Sequence, residues 1–144
     1  YSNLKDYDRA IADYNQALKL YPNYTIAYIS RGVAYSNLKD YDRAIADYNQ
    51  AIQLNPNYTI AYNNRGLAYS NLKDYDRAIA DYNQALKLYP NYTTAYNNRG
   101  LAYSNLKDYD RAIADYNQAL KLYPNYTTAY NNRKIAYKNK VSPE

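Results

Sequence analysis

A pattern of 34 residues recurs four times in this chain with few differences between the copies. Each copy opens with the letters YSNLKDYDRAIADYNQA, and the copies start at Tyr1, Tyr35, Tyr69 and Tyr103. A fixed period of this length indicates a row of supersecondary units that stack on one another, because one unit cannot bury its apolar face alone. The repeat therefore argues against a globule with one central core. It also predicts that any function belongs to an extended surface rather than to a unique pocket.

Each copy contains two segments in which apolar residues recur at helical spacing. In the third copy, this spacing predicts a helix over Asp76–Tyr89, with acidic residues in its first turn and Pro90 after its end. Asn91 then has the residue type of an N-cap, and a second helix is predicted over Tyr92–Leu106. No segment alternates with the period of two that is typical of a strand. The predicted fold class is therefore all-α, an α-solenoid of antiparallel helix pairs.

The composition removes the residues on which most catalytic and metal sites depend. The 144 residues include no histidine and no cysteine, so the commonest general base, the thiolate nucleophile and sulfur-ligated zinc are missing. The sequence also has no glycine-rich phosphate loop, and its aspartates are interleaved with lysines and arginines. We therefore predict that the chain is not an enzyme and that it uses no cofactor and no metal.

The formal net charge of +5 is spread along the chain rather than concentrated. Nucleic-acid binding usually requires a continuous basic face, so this distribution disfavours nucleic acid as a partner. The one basic cluster lies near the end of the sequence and consists of Arg133, Lys134, Lys138 and Lys140. No apolar run approaches the ~20 residues that span a bilayer, so no membrane association is predicted.

Tyrosine supplies much of the apolar surface, because the chain has 24 tyrosines and no phenylalanine, tryptophan or methionine. A buried tyrosine ring packs like phenylalanine, but its hydroxyl needs a hydrogen-bond partner. We expect most rings to be buried, with hydroxyls that reach the walls of a groove or the seams between repeats.

Three glycines lie inside predicted helices, where each costs about 1 kcal/mol relative to alanine. Gly32, Gly66 and Gly100 occupy the same position of successive copies, which predicts that a neighbouring helix approaches the backbone closely there. The fourth copy has Lys134 at this position, with little sequence after it. We therefore predict that Thr127–Lys140 is a capping helix with a polar, solvent-facing side.

An arginine precedes each of these four positions by one residue. On the core side of a helix an arginine is costly unless it is paired, and in three copies an aspartate follows sixteen residues later. We predict that each arginine bridges an aspartate of its own or the adjacent unit, and ligand-binding arginines are the alternative. The residues are Arg31, Arg65, Arg99 and Arg133, with Asp47, Asp81 and Asp115.

In these residues the sequence resembles the tetratricopeptide repeat family. The matching pattern places an aromatic residue, a glycine, an alanine, a tyrosine and a proline at fixed spacing within 34 residues. In the middle of the chain it consists of Tyr62, Arg65, Gly66, Tyr69, Ala78, Tyr82 and Pro90. Tyr62 stands where the family often has tryptophan, and Arg65 where leucine is usual. The near-identity of the copies is consistent both with a recent tandem duplication and with deliberate design.

The resemblance implies a right-handed superhelix whose concave face is lined by the first helix of each pair. It also implies a protein-interaction scaffold that binds a peptide or protein segment in that groove. In the family's phase, residues 25–58, 59–92 and 93–126 are complete repeats. Each has a structural proline as the third residue from its end, at Pro56, Pro90 and Pro124. Residues 1–24 are then a partial repeat, the tail of a first helix followed by a second helix over Asp8–Leu20. Residues 127–144 are the capping helix and tail.

By the same resemblance, the groove presents a ladder of asparagines with small apolar patches between them. Asparagine amides both donate and accept hydrogen bonds, which suits recognition of an extended main chain. The predicted groove residues are Asn37, Asn63, Asn64, Leu67, Asn71, Thr94, Asn97, Asn98, Leu101, Asn105, Thr128, Asn131 and Asn132. The alternative is a solvated polar face that was copied by duplication and has no ligand.

The groove residues also bear on which ligand class the chain binds. Chaperone-type members of the family hold a C-terminal carboxylate with lysine and arginine side chains at some of these positions. None of the corresponding residues in this sequence is cationic, so the resemblance disfavours that ligand. The residues are Ile29, Val33, Asn64, Thr94 and Asn98.

The ends of the chain suggest a second function, structural self-association. The predicted helix Asp8–Leu20 lacks most of its first-helix partner, and Thr127–Lys140 lacks a following helix. The tail of one molecule is thus expected to fit the head of the next, in a contact that does not close. Lys134 argues against a perfect fit.

The repeat also contains the letters of an N-glycosylation site. Asn-Tyr-Thr begins at Asn23, Asn57, Asn91 and Asn125. These asparagines follow a proline at a predicted helix start, so capping is favoured over glycosylation.

Overall fold

The computed structural model describes residues 3–142, and these residues form eight helices and no strand. The helices are α1 (Leu4–Leu20), α2 (Thr25–Asn37), α3 (Tyr41–Leu54), α4 (Thr59–Asn71), α5 (Tyr75–Leu88), α6 (Thr93–Asn105), α7 (Tyr109–Leu122) and α8 (Thr127–Val141). Turns of three or four residues join consecutive helices, so neighbours within a hairpin run antiparallel. The chain divides into two compact units: residues 1–72, with α1 to α4, and residues 73–144, with α5 to α8.

The odd-numbered helices α3, α5 and α7 begin at an aspartate N-cap. The carboxylates of Asp40, Asp74 and Asp108 each accept a hydrogen bond at 3.3 Å from the backbone N–H three residues later. This bond satisfies one of the N–H groups that a helix start leaves without a partner. The predicted helix Asp76–Tyr89 is thus α5, shifted by one residue at each end.

The turn that precedes each of these caps has a lysine in the left-handed backbone region. Lys39, Lys73 and Lys107 have φ values of 62°, 64° and 64°. In the first of these turns, the N–H of Asp40 donates to the carbonyl of Tyr35, and the N–H of Lys39 donates to that of Ser36, both at 2.9 Å. These two bonds are the Schellman closure of a helix C-terminus, in which glycine is the usual residue. Lysine there is strained, and the sequence patterns give no sign of it.

Helix α6 starts one residue later than predicted, at Thr93 rather than Tyr92, and its cap differs from the prediction. The N-cap of α6 is Tyr92, which makes no side-chain capping bond. Asn91 lies before it, inside a turn that is closed by a 3.1 Å bond from the N–H of Tyr92 to the carbonyl of Tyr89. The prediction that Asn91 caps the helix is therefore wrong, because the turn after Leu88 uses one more residue than the pattern indicates.

The first helix starts earlier than predicted, at Leu4 rather than Asp8. Asn3 Oδ1 accepts a hydrogen bond from the N–H of Asp6 at 3.1 Å, and the carboxylate of Asp6 accepts one from the N–H of Asn3 at 3.3 Å. This reciprocal pair is a capping box. The predicted tail of a first helix is therefore wrong for residues 3–24, and Tyr1 and Ser2 lie outside the described residues.

The core of each unit is built from alanine and tyrosine. In the first unit Ala44 and Ala51 of α3 have no exposed surface, and Tyr48 between them is 1% exposed. In the second unit Ala112, Tyr116 and Ala119 of α7 are completely buried. Small residues on both sides of a large ring allow the helices to approach closely around it.

Fewer tyrosine rings are buried than the composition suggests. Among residues 3–142, the rings that are buried are those of Tyr48, Tyr62, Tyr82 and Tyr116. The hydroxyls of Tyr48 and Tyr116 lie 3.3 Å from the hydroxyls of Ser36 and Ser104. The other rings are partly or fully exposed, because tyrosine can cover a helix surface while its hydroxyl stays in water.

Gly32 and Gly100 each lie against one of these buried rings, and in both cases the glycine and the ring belong to the same unit. A Cβ atom added to Gly32 would lie 2.6 Å from Cε1 of Tyr48, and one added to Gly100 would lie 2.6 Å from Cε1 of Tyr116. Carbon atoms do not approach that closely, so any side chain there displaces the ring. The neighbour that requires these glycines is thus one tyrosine on the following helix.

Candidate functional site

A recess of about 260 Å³ opens between α2, α3 and α4 in the first unit. Its lining is almost free of charge: tyrosines from α3 form part of it, and small apolar and amide side chains from α2 and α4 complete it. The lining residues are Val33, Ser36, Asn37, Tyr41, Tyr48, Asn64, Leu67, Ala68 and Asn71.

A second recess of about 200 Å³ lies between α1 and α2, one repeat earlier. It is lined by Asp6, Tyr7, Ala10, Tyr14, Ser30, Val33, Ala34 and Asn37. Most of these positions recur in the first recess after 34 residues, as Tyr7 does at Tyr41 and Tyr14 at Tyr48. Val33 and Asn37 line both recesses. The repeat thus produces two equivalent, adjoining recesses on one face of this unit.

The structure brings together the predicted groove residues Asn37, Asn64, Leu67 and Asn71. Leu67 is 37% exposed, and Asn71 Nδ2 donates to the carbonyl of Leu67 at 2.9 Å. The resemblance assigned the groove to the first helix of each pair and missed the tyrosines of α1 and α3. For Tyr48 the sequence signal is Gly32 on the preceding helix, because a Cβ atom there would collide with the Tyr48 ring.

One predicted groove position lies inside the helix packing instead. Ile29, Asn63 and Asn97 occupy it in successive repeats, and they are only 7%, 4% and 3% exposed. In the second unit, Asn97 Oδ1 accepts a hydrogen bond from Asn132 Nδ2 at 3.1 Å. This bond joins α6 to α8, so the amide of Asn97 is used within the chain and not toward solvent.

The remaining predicted groove residues lie in the second unit with different exposures. Asn98 is buried, at 8%, whereas Leu101 is 38% exposed. Asn105 Nδ2 donates to the carbonyl of Leu101 at 2.9 Å, which repeats the arrangement at Asn71. Within the second unit, the exposed residues of the predicted set are Thr94, Leu101, Asn105, Thr128 and Asn131.

Arginine and aspartate pair as predicted wherever both residues belong to one unit. Arg31 Nε and Nη2 donate to the two carboxylate oxygens of Asp47 at 2.9 and 2.6 Å. Arg99 makes the same bidentate contact with Asp115, at 2.8 and 2.6 Å. Arg65 belongs to the first unit and Asp81 to the second, so that pair stays a prediction.

Each arginine also uses its third nitrogen on the helix before it. Nη1 of Arg31 donates to Asn15 Oδ1 at 2.9 Å, and Nη1 of Arg99 donates to Asn83 Oδ1 at 2.9 Å. The guanidinium of Arg99 also lies over the ring of Tyr96, 5.5 Å from its centroid. One arginine therefore links three helices, which accounts for its presence at a position where the family usually has leucine.

Burial and pairing act in opposite directions on the ionisation of these groups. Burial raises the pKa of Asp115, and the hydrogen bonds and charge of Arg99 oppose that rise. The pKa of the Arg99 guanidinium is raised, chiefly because Asp115 accepts its hydrogen bonds. In this bidentate geometry Nε and Nη2 of Arg99 and both carboxylate oxygens of Asp115 are engaged with each other, so we expect these arginines to serve packing rather than a ligand.

Two kinds of site are absent among residues 3–142: a carboxylate cluster for a metal ion and a membrane-spanning helix. No group of three or more aspartates or glutamates in residues 3–142 is arranged to hold a metal ion. None of the eight helices in this range has the length and apolar character needed to cross a membrane.

The prolines Pro56, Pro90 and Pro124 lie exposed in the turns between hairpins. The carbonyl of Pro56 accepts a 2.8 Å hydrogen bond from the hydroxyl of Tyr62.

The model of the tetratricopeptide repeat matches residues 25–58, 59–92 and 93–126, and a second TPR repeat model matches residues 1–39. The chain belongs to the tetratricopeptide repeat family. The predicted membership of this family and the predicted all-α solenoid fold are thereby confirmed. A search of curated protein sequences gave no match.

Solved structures of TPR proteins resemble the chain closely. The first TPR of Spaghetti (RPAP3), bound to the HSP90 peptide SRMEEVD, is 31% identical with a TM-score of 0.80, and the match covers 82% of this TPR chain and 94% of that one. MamA is 28% identical with a TM-score of 0.88, covering 94% and 80%. The Arabidopsis OM64 TPR domain is 31% identical with a TM-score of 0.77, covering 79% and 94%. As a member of this family, the chain is a protein-interaction scaffold.

Proposed function

We propose that the chain binds an extended segment of another protein across its adjoining recesses. The observation that carries this proposal is the recurrence of one recess in the next repeat, with Val33 and Asn37 shared between the two. An extended ligand places side chains at regular intervals along one direction, so equivalent recesses in a row suit it. The amides of Asn37 and Asn64 offer donors and acceptors to a free main chain, which a helical ligand does not have.

The chemistry of the recesses favours a ligand with neutral or apolar side chains. Neither recess is lined by a lysine or arginine, and the second has the carboxylate of Asp6. Val33 and Leu67 expose 40% and 37% of their surface at the recess walls. The HSP90 peptide SRMEEVD bound by Spaghetti (RPAP3) is acidic. An acidic C-terminal peptide would meet no compensating charge here, so the proposed ligand class differs from that one.

Screening a peptide library against the full chain, with affinity measured by fluorescence anisotropy, tests this proposal. Leu67→Lys places a charge in the wall of the first recess and is expected to weaken a selected ligand about tenfold, which corresponds to ~1.4 kcal/mol. Gln53→Ala, an exposed position on α3 outside both recesses, is the matched control and is expected to leave the affinity unchanged. Equal effects of the two substitutions would place the binding site elsewhere.

The ligand class is tested by the charge of the peptide terminus. Each selected peptide is measured with a free C-terminal carboxylate and again with a C-terminal amide. We expect equal affinities, because no cationic side chain lines the described recesses. Ligands that bind only as free acids would overturn the proposed class, although binding in the groove would still stand.

The chain is also proposed to act without catalysis, cofactor or metal. The family supports this, since tetratricopeptide repeats are protein-binding scaffolds. The proposed partner is thus a protein segment rather than nucleic acid. Self-association through the ends is the second candidate, and Lys134 and Lys138 argue against it for the unaltered chain.

A further inference from the structure

The last helix differs from an internal one at only three of its first thirteen residues. Residues 127–139 of α8 have the letters TTAYNNRKIAYKN, and residues 93–105 of α6 have TTAYNNRGLAYSN. Lys134, Ile135 and Lys138 are the three differences. The face that α6 presents to α7 is therefore reproduced on α8, apart from these positions.

Two of the three differences fall on the contact with the next helix. In the second unit Gly100 gives room to the ring of Tyr116, and Ser104 Oγ lies 3.3 Å from the hydroxyl of Tyr116. Gly32 and Ser36 hold the ring of Tyr48 in the same way. On α8 lysines replace both the glycine and the serine, so the site that receives a tyrosine ring is closed.

The first helix presents the complementary surface. Residues 3–25 repeat residues 105–127 letter for letter, so α1 has the sequence of α7. Within the first unit α1 packs on α2, whereas α7 packs on both α6 and α8. Tyr14 and Asp13 occupy the positions of Tyr116 and Asp115. On α1 Asp13 is exposed and Tyr14 is only partly buried, whereas Asp115 and Tyr116 are buried on α7.

The arginine and the aspartate of the recurring ion pair are found separately at these two ends, as Arg133 on α8 and Asp13 on α1. Arg133 Nη1 donates to Asn117 Oδ1 at 2.8 Å, as Nη1 of the other arginines does to its asparagine. Within residues 3–142, its Nε and Nη2 have no carboxylate partner, and Asp13 is exposed without an ion pair. In Arg99 these two nitrogens hold Asp115. One end therefore carries the donor half of the bidentate pair and the other end carries the acceptor half.

We infer that α8 of one copy and α1 of a second copy are the two halves of one repeat interface, and that Lys134 and Lys138 keep them apart. The interface would continue the packing of α6 on α7, with Arg133 bound to Asp13 of the other copy. The side chain of Lys134 would occupy the space of the Tyr14 ring, and both ammonium groups would lose water without a counter-charge. The lysines are thus a barrier against open-ended, head-to-tail assembly.

Restoring the internal sequence tests this inference. K134G/I135L/K138S makes residues 127–139 identical to residues 93–105. We expect the unaltered chain to keep its mass of 16.8 kDa at all concentrations in analytical ultracentrifugation. The triple variant is expected to form oligomers whose average mass rises with concentration. Oligomers of the unaltered chain, or a triple variant that is helical and monomeric, would overturn the inference.

Three control variants separate the proposed contact from a general loss of charge. In the triple background, Asp13→Lys removes the acceptor half of the ion pair and is expected to abolish assembly. Asp8→Lys makes the same charge change at the position of Asp110, whose carboxylate faces α8 in the second unit, and is expected to leave assembly intact. K134A/I135L/K138S keeps a Cβ at the glycine position, so at least tenfold weaker assembly is expected. Assembly equal in all of these variants would refute the proposed contact.

A tandem fusion keeps the test valid even if glycine lowers the helix content of α8. Two full copies are joined end to end, one fusion with Lys134, Ile135 and Lys138 at the junction and one with the triple substitution. The internal sequence at the junction is expected to raise the urea midpoint of unfolding, because it permits α8 to pack on the second α1. An equal or lower midpoint would contradict the inference.

Discussion

Helices α1 and α7 have the same sequence and different structures. Residues 3–25 and 105–127 are identical, yet α1 begins at Leu4 under a capping box and α7 begins at Tyr109 after a Schellman turn. In α1 only Leu18 is buried. In α7 five residues are buried: Ala112, Ile113, Asp115, Tyr116 and Ala119. The helices differ in their neighbours, since α7 packs between α6 and α8. Two helices of identical sequence therefore bury different residues, because different helices pack beside them.

The same comparison explains where charge is tolerated. Asp115 is 5% exposed and is stabilised by Arg99, whereas Asp13 is exposed to water. Lysine replaces Gly100 and Ser104 only on α8, whose outer face packs on no helix of the second unit. Neighbour packing thus sets both the stability of a residue and the substitutions that its position accepts.

The largest expected difference between the two helices concerns the tyrosine. Tyr116→Ala removes a completely buried ring from the second unit and is expected to cost about 3–5 kcal/mol of unfolding free energy. Tyr14→Ala makes the same change on α1, where the ring is only partly buried, and is expected to cost about 1 kcal/mol. Urea denaturation followed by circular dichroism measures both losses.

A phenylalanine control separates packing from hydrogen bonding in this pair. Tyr116→Phe keeps the ring and loses only the bond to Ser104, so a cost of about 1 kcal/mol is expected. Equal losses for Tyr116→Ala and Tyr14→Ala would show that neighbours do not determine the stability of the position.

The aspartates give the next largest expected difference. Asp115→Ala leaves the partly buried guanidinium of Arg99 without its bidentate partner, and a loss of about 2 kcal/mol is expected. Asp13→Ala changes an exposed residue and is expected to alter the unfolding free energy by no more than about 0.5 kcal/mol. Thermal melts of the two variants at neutral pH check this ordering, and a larger loss for Asp13→Ala would reverse it.

The smallest expected effect concerns the start of each helix. Asn3→Ala removes the capping box and is expected to cost about 1 kcal/mol and to move the start of α1 toward Tyr7. Asn105→Ala changes the same letter at the end of α6, where its side chain bonds only the carbonyl of Leu101. A change of at most about 0.5 kcal/mol is expected there. Backbone NMR chemical shifts of residues 4–6 report the helix start directly, and unchanged shifts in Asn3→Ala would contradict the role of the cap.

Much of the fold could be predicted from the sequence because the repeat supplies the same signals several times. Apolar spacing, the aspartates at the start of α5 and Pro90 after its end placed that helix to within one residue at each end. The prediction was wrong where the same letters admit two local structures. Asn-Leu-Lys-Asp closes a helix at residues 37–40 and opens one at residues 3–6, and the choice depends on whether a helix precedes it.

The candidate site was harder to predict because exposure depends on packing between helices. Asn63 and Asn97 are of a residue type that suits a hydrogen-bonding groove, but neighbouring helices pack against them and bury them. Tyr41 and Tyr48 occupy apolar positions of the helical pattern that predict a core, yet both also line a recess. The pairing of Arg31 with Asp47 could be predicted, because a buried charge requires a partner at a fixed separation in the repeat.

Amide hydrogen exchange of the unaltered chain tests the central claim most directly. Residues 7–17 and 109–119 have the same sequence, so their intrinsic exchange rates are equal and any difference reports local stability. The account predicts that amides of residues 109–119 exchange about tenfold or more slowly than their counterparts in residues 7–17. Equal protection of the two segments would contradict it, because neighbours would then contribute nothing to the stability of identical helices.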